Sequence, residues 1–132
     1  MSAFRLYLGI AALAGFSAVL MGAFGAHALR NSLDPLSMEV YRTAVDYHMA
    51  HALALAVVAM VLRSDGRSRL MIWSARLMGF GIVLFSGSLY LLSLTGISWF
   101  GAITPFGGMA FLAAWAFLAI HSFQNLKQDQ NA

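Results

Sequence analysis

The sequence predicts an all-α, integral membrane protein: a four-helix transmembrane bundle with both termini on the cytoplasmic side. Three observations carry that expectation. Of 132 residues, 61% are hydrophobic and only 10% charged, against about 25% charge in soluble domains, and mean hydropathy is +0.76. Four apolar runs, at about residues 5–27, 40–62, 75–97 and 104–122, each approach the roughly 20 residues that cross ~30 Å of hydrocarbon. Basic residues gather at alternate ends of those runs. A chain of this length makes one domain, so residues 1–132 are read as a single four-span unit.

The first run, Leu6 to Ala26, carries no charge. With Arg5 before it and Ala26-His27-Ala28 after it, it has the outline of a secretory signal. Signal cores run about 7–15 residues, and this run is longer, so a retained helix is expected. Ala14, Ala18, Gly22 and Ala26 recur every four residues along it. Small side chains at that spacing let another helix approach closely, which is how packing replaces the missing hydrophobic drive in lipid. Close packing inside the monomer is the favoured use. The stripe also permits a homo-oligomer or a place in a larger membrane complex.

Asp34-Pro35 reads as an N-cap followed by proline at the first helical position. The helix it opens can run to Leu62, longer than a bilayer needs. Its early part is expected at the interface, with Tyr41 and Tyr47 as belt aromatics. Arg63 to Arg69 is a basic loop turned at Asp65-Gly66. The third run, Leu77 to Ile97, places Gly79, Ser86, Tyr90 and Ser93 on one helical stripe. Thr104-Pro105 repeats the cap-then-proline pattern and is expected to open the fourth helix. His121, at its end, is expected at the surface, followed by a polar, frayed tail from Gln124.

Orientation follows from charge. Arg5, Arg63, Arg67, Arg69, Arg76 and Lys127 fall on the termini and the second loop. Arg30 and Arg42 fall on the other side, with Asp34, Glu39 and Asp46. The positive-inside rule then puts both termini in the cytoplasm. The net charge of +3 is thereby explained by a lipid-bilayer partner, and nucleic acid is not implied. Absence of cysteine excludes disulfides, thiolate metal sites and cysteine nucleophiles. No serine has a base and an orienter in a recognisable motif, so no enzyme is read. The first, third and fourth runs lack a carboxylate, which disfavours a proton-coupled exporter. The eight methionines are read as core filler.

The chemistry concentrates in Val40 to Leu62, a polar start that runs unbroken into an apolar helix. With Leu62 at the inner hydrocarbon edge, His51 lies roughly 16 Å up, His48 roughly 21 Å and Asp46 about 24 Å. Ionisable groups at such depths face the bundle interior or a wet cavity and find partners. The candidate cluster is His27, Asp46, Tyr47, His48, His51, Ser86, Ser88, Tyr90 and Thr104. Two readings are open. His48 and His51, three residues apart, have the spacing of a metal pair, and with help from Tyr90, Asp46 or His27 they invite a divalent metal, a quinone or haem, although His27 counts roughly 10–15 Å above His51. Alternatively the imidazoles hydrogen-bond to Ser86, Ser88, Tyr90 or a backbone carbonyl and tie helices together. The second is favoured, and no cofactor is required. Gly79, Gly87, Gly107 and Gly108 are read as helix-packing positions, the last two in preference to an anion-binding helix start.

Four stretches carry a family resemblance: Gly22-Ala-Phe-Gly-Ala-His27-Ala-Leu29, Tyr47-His48-Met-Ala-His51-Ala-Leu, Phe85-Ser-Gly-Ser-Leu-Tyr90-Leu-Leu and Thr104-Pro-Phe-Gly-Gly108. Over almost its whole length the chain resembles the DUF-423 family of small bacterial inner-membrane proteins, related to eukaryotic transmembrane protein 256. The resemblance implies a bacterial inner-membrane location and four helices, and transfers no activity. Its signature residues match here as His27, Tyr47, His48, His51, Ser86, Gly87, Ser88, Tyr90, Thr104, Pro105, Gly107 and Gly108.

Overall fold

The structure, a computed structural model, describes residues 2–65 and 68–129, with side chains as far as Asn125. Gly66 and Arg67 of the expected basic turn lie outside the described residues, as do the side chain of Lys127 and residues 130–132. The elements in order are α1 (Ala3–His27), α2 (Pro35–Ser64), α3 (Arg69–Gly81), a π turn (Ile82–Ser86), α4 (Gly87–Thr95) and α5 (Trp99–Asp129). α3, the π turn and α4 form one rod, so four helices are long and apolar enough to cross a membrane. The described residues contain no strand.

α2 begins as its sequence dictates. The Asp34 carboxylate accepts from the N–H groups of Leu36 (3.0 Å) and Ser37 (3.1 Å) and from the Ser37 hydroxyl (2.6 Å), closing two donors the helix leaves open. The Ser37 hydroxyl is the main cause that holds this carboxyl below its ordinary value of 3.8, with the backbone donors adding to it. A depressed carboxylate stabilises the fold above its unfolded pKa, and that stabilisation fades as pH falls through the folded value. The stability gap between wild type and Asp34→Ala is therefore expected at about pH 6 and should shrink in acid below 3.8. A thermal melt in detergent reads it, and a gap that persists in acid contradicts the assignment.

α2 is the axle of the molecule. It buries Tyr41, Ala44, His48, His51, Ala52, Leu55, Val58, Ala59 and Leu62; α1, α3 and α4 lean on it, while α5 packs chiefly against α3. At the basic end Tyr7 and Ala11 of α1 join Leu55, Val58 and Leu62 of α2, Met71, Ala75 and Met78 of α3 and Ala114 of α5 in one core. At the other end Leu29, Tyr41, Ala44 and Tyr90 form a second. Ser74 fastens α3 to α5 by donating to the Ala114 carbonyl at 2.8 Å.

Only part of the small-residue stripe of α1 packs inside the monomer. Ala18 is fully buried. A Cβ on Gly22 would come within 3.3 Å of Val45, and one on Gly25 within 3.0 Å of the Tyr41 ring. Ala14 is half-buried and Ala26 exposed. The space at Gly25 admits the Tyr41 ring, whose hydroxyl donates to the Met21 carbonyl at 2.6 Å. Tyr41 is thus a core residue, 1% exposed, and not the belt aromatic its position in the sequence suggested; Tyr47 is the exposed one.

Two features depart from the helical spans expected. The Gly87 N–H reaches back five residues to the Ile82 carbonyl, the bond of a π turn. The extra residue turns the following face, so Ser86, Tyr90 and Ser93 are buried where Phe85, Leu89 and Leu92 are only half-buried. The rod ends at Gly96, whose φ of 71° is the left-handed cap that glycine adopts without penalty. α5 then starts at Trp99, and Pro105 lies inside it, so Thr104-Pro105 does not open the helix. Proline removes the bond to the Gly101 carbonyl one turn back. Transmembrane helices tolerate this because nearby hydroxyls and neighbouring helices satisfy the backbone. Thr104 Oγ1 bonds the adjacent Phe100 carbonyl at 3.3 Å, not the one that Pro105 frees.

Candidate functional site

Both α2 imidazoles are buried, each 7% exposed, and each ring nitrogen has a partner. Ser17 donates to the Ala14 carbonyl at 3.0 Å, which spends its only proton. Its oxygen, 3.2 Å from His48 Nε2, must then accept, so His48 carries its proton on Nε2. His48 Nδ1 is left as an acceptor for the Tyr90 hydroxyl at 3.1 Å. One ring therefore links α1, α2 and α4.

His51 is the reverse tautomer. Its Nδ1 lies 2.8 Å from the Tyr47 carbonyl, which can only accept, so the proton is on Nδ1. Nε2 accepts from the Trp115 indole N–H at 3.2 Å. The ring lies flat on Phe111, with centroids 3.4 Å apart and planes at 12°, and Tyr47 stacks more distantly at 5.8 Å. Phe85 completes the cluster, 4.5 Å from Tyr47 and 5.6 Å from Phe111. His51 is the link from α2 to α5.

Three residues apart on a helix is −60° of rotation, enough to send the two rings to different neighbours. They share no partner, and among the described residues no three His, Asp or Glu side chains gather as a metal set. His27 and Asp46 are exposed, and neither is among the hydrogen-bond partners of the two rings. The α1 partner of His48 is Ser17, ten residues before His27 and roughly 15 Å along the helix.

The Ser88 and Thr104 hydroxyls hydrogen-bond to each other at 2.7 Å between α4 and α5. Ser86 is fully buried and its hydroxyl has no partner among the described residues. The carbonyl it would normally reach, Ile82, is taken by Gly87 in the π turn. An orphaned hydroxyl costs about 1–3 kcal/mol. Ser86→Ala is therefore expected to raise stability by about 1 kcal/mol, and a loss of similar size in a denaturation curve would show the hydroxyl is bonded.

Gly107 and Gly108 meet the π turn. A Cβ at Gly107 would lie 2.8 Å from Phe85 Cα, and one at Gly108 3.7 Å from the Phe85 ring. Gly79 and Gly87 do not pack in this way: a Cβ there meets nothing within 4 Å, and both glycines line an open groove. His121 is also a correction. It is 6% exposed, with Nε2 3.2 Å from the Asn125 amide, Nδ1 3.1 Å from Ser68 Oγ and the Asp65 carboxylate 3.8 Å away. It ties the end of α5 to the α2–α3 connection.

Three partners, Ser17, Phe111 and Trp115, were not among the residues expected from sequence. Ser17 is the one polar residue in the middle of an apolar run, and that signal could have found it. Phe111 and Trp115 lie four apart on an aromatic-rich helix and carry no distinguishing mark.

Residues 21–108 match the family model described as a protein of unknown function, DUF423. The UPF0382 membrane protein YwdK of Bacillus subtilis (strain 168) is 42% identical over 92% of this chain and 99% of its own. The UPF0382 membrane protein SH2409 of Staphylococcus haemolyticus is 42% identical over 91% of this chain and 97% of its own. The UPF0382 inner membrane protein YgdD of Escherichia coli (strain K12) is 38% identical over 88% of each. No solved structure matches. The chain belongs to the DUF423 (UPF0382) family of membrane proteins.

Proposed function

We propose that this chain is a structural or accessory protein of the bacterial inner membrane, whose polar cluster fastens helices together instead of holding a ligand. One observation supports it above the others. All four ring nitrogens of His48 and His51 are engaged by the protein, by Ser17, Tyr90, the Tyr47 carbonyl and Trp115. Acting as a site for metal, quinone or haem would require one ring to surrender a bond to the protein, and three of the four join different helices. Such bonds are ordinary connectors in membrane bundles.

Elemental analysis and an absorption spectrum of protein purified in mild detergent test this. Metal well below one equivalent, no haem band and easier unfolding of His48→Ala are expected. A stoichiometric metal or chromophore that His48→Ala releases without loss of stability contradicts it. The proposal includes both termini in the cytoplasm, for which Arg5, Arg63, Arg69 and Arg76 at one end speak. A compartment-sensitive reporter fused after the last residue should read cytoplasmic, and a periplasmic reading overturns the orientation.

A further inference from the structure

α1 parts from the Arg69–Thr95 rod beyond Ala11, and the gap is a groove with two lobes. The outer lobe, about 680 Å³, is lined by Leu13, Phe16 and Tyr90 among others. The lobe toward the basic end, about 450 Å³, is lined by Tyr7, Phe80 and Arg76 among others. Ile10, Gly79 and Val83 line both, so the groove is continuous. From Arg76 to Tyr90 it follows about 21 Å of rod, more than the ~15 Å half-thickness of the hydrocarbon core.

Its walls are hydrocarbon. The polar side chains on its floor, Ser17, His48 and Tyr90, are bonded to one another and offer a ligand no spare donor. The charge is at the mouth. Arg76 is held with its guanidinium 5.2 Å over the Trp73 ring, and with Arg69 it borders a second depression of about 270 Å³ just outside. Among the described residues neither arginine forms an ion pair. A greasy slot that opens at two unneutralised arginines complements one kind of molecule, an amphiphile with an anionic head. Basic pockets between transmembrane helices recognise phosphate headgroups in this way.

We propose that the groove binds one anionic phospholipid of the leaflet at the basic end, its phosphate between Arg69 and Arg76 and one acyl chain laid along Ile10, Gly79 and Val83 toward Tyr90. The glycines shape the slot: Gly79 and Gly87 border it, and a Cβ on either meets nothing. A helix from a second copy fits less well, because Ala18 and Gly22 of the α1 stripe are already packed inside the monomer.

Native mass spectrometry of the detergent-purified full chain, with phosphatidylglycerol against phosphatidylcholine of the same chains, tests the assignment. Wild type should retain one phosphatidylglycerol with roughly thirtyfold preference, the product of two arginine contacts near the membrane surface. The double variant Arg69→Gln/Arg76→Gln should lose the preference and bind the two lipids alike. Gly79→Leu should melt as wild type does, since its Cβ meets no protein atom within 4 Å and its side chain extends into the groove, and should retain neither lipid. Gly87→Leu repeats that arm should Gly79→Leu prove unstable. Equal retention of the two lipids by wild type, a preference that survives the double arginine variant, or undiminished lipid on the leucine variants each overturns the proposal. None of these substitutions touches the His48 or His51 bonds, so failure here leaves the network reading where it stands.

Discussion

Gly107→Val should separate α5 from the π turn and cost about 3 kcal/mol or more, at the upper end of what overpacking does to a close-fitted interior. The reason is the atom the new side chain would meet. A Cβ at Gly107 points at the backbone of Phe85, 2.8 Å from its Cα, and backbone inside a hydrogen-bonded turn cannot swing aside as a side-chain tip can. Phe85 also carries the aromatic cluster around Tyr47 and Phe111. Displacement of α5 would therefore also disturb the face against which His51 lies. Gly108→Ala is the control: its Cβ would sit at 3.7 Å from the Phe85 ring, an ordinary contact, and should change stability by less than about 0.5 kcal/mol. Denaturant titration of both variants in the same detergent compares them, and equal effects at the two positions would refute the close-approach argument.

His51→Ala is the second large effect, expected at about 3 kcal/mol. The change removes a ring stacked 3.4 Å from Phe111 and opens a cavity, which for large-to-alanine changes costs several kcal/mol. It also leaves the Trp115 indole N–H without its acceptor at 3.2 Å, and interhelical bonds in membranes average about 0.6 kcal/mol with a maximum near 1.7. Most of the loss is thus packing. A double-mutant cycle with Trp115→Phe separates the parts, and a coupling of about 0.5–1.5 kcal/mol is expected. No coupling would mean the indole finds its partner elsewhere.

The architecture was legible because apolar length and charge placement act locally and at low resolution. Asp34-Pro35 marked the start of α2 to the residue, since an N-cap and its proline are set by adjacent backbone groups. The depth count put His48 and His51 inside the bundle, because a 1.5 Å rise per residue needs no tertiary knowledge. What depth could not supply was azimuth. The two rings diverge, and only the neighbouring helices decide which partner each finds. The π turn was invisible, as Ile82 to Ser86 reads like any apolar helix, yet it brings Tyr90 inward to His48. Of the stripe that regular periodicity drew, Gly79 and Tyr90 line the groove while Ser86 is fully buried. Pro105 misled for a related reason. A helix-start signature is a statement about water, and inside a membrane a proline can sit in the second turn. His121 stands at the end of a run, where burial depends on how the α2–α3 connection folds back.

Nitrogen-15 spectra of the histidine side chains, recorded on the protein in bilayers at neutral pH, test the central claim most directly. Two neutral imidazoles of opposite tautomer are expected, His48 protonated on Nε2 and His51 on Nδ1, with both signals unmoved when zinc, copper or haem is added. A charged ring at either position, the same tautomer at both, or a signal that shifts on metal addition would contradict the view that these histidines are saturated connectors between helices.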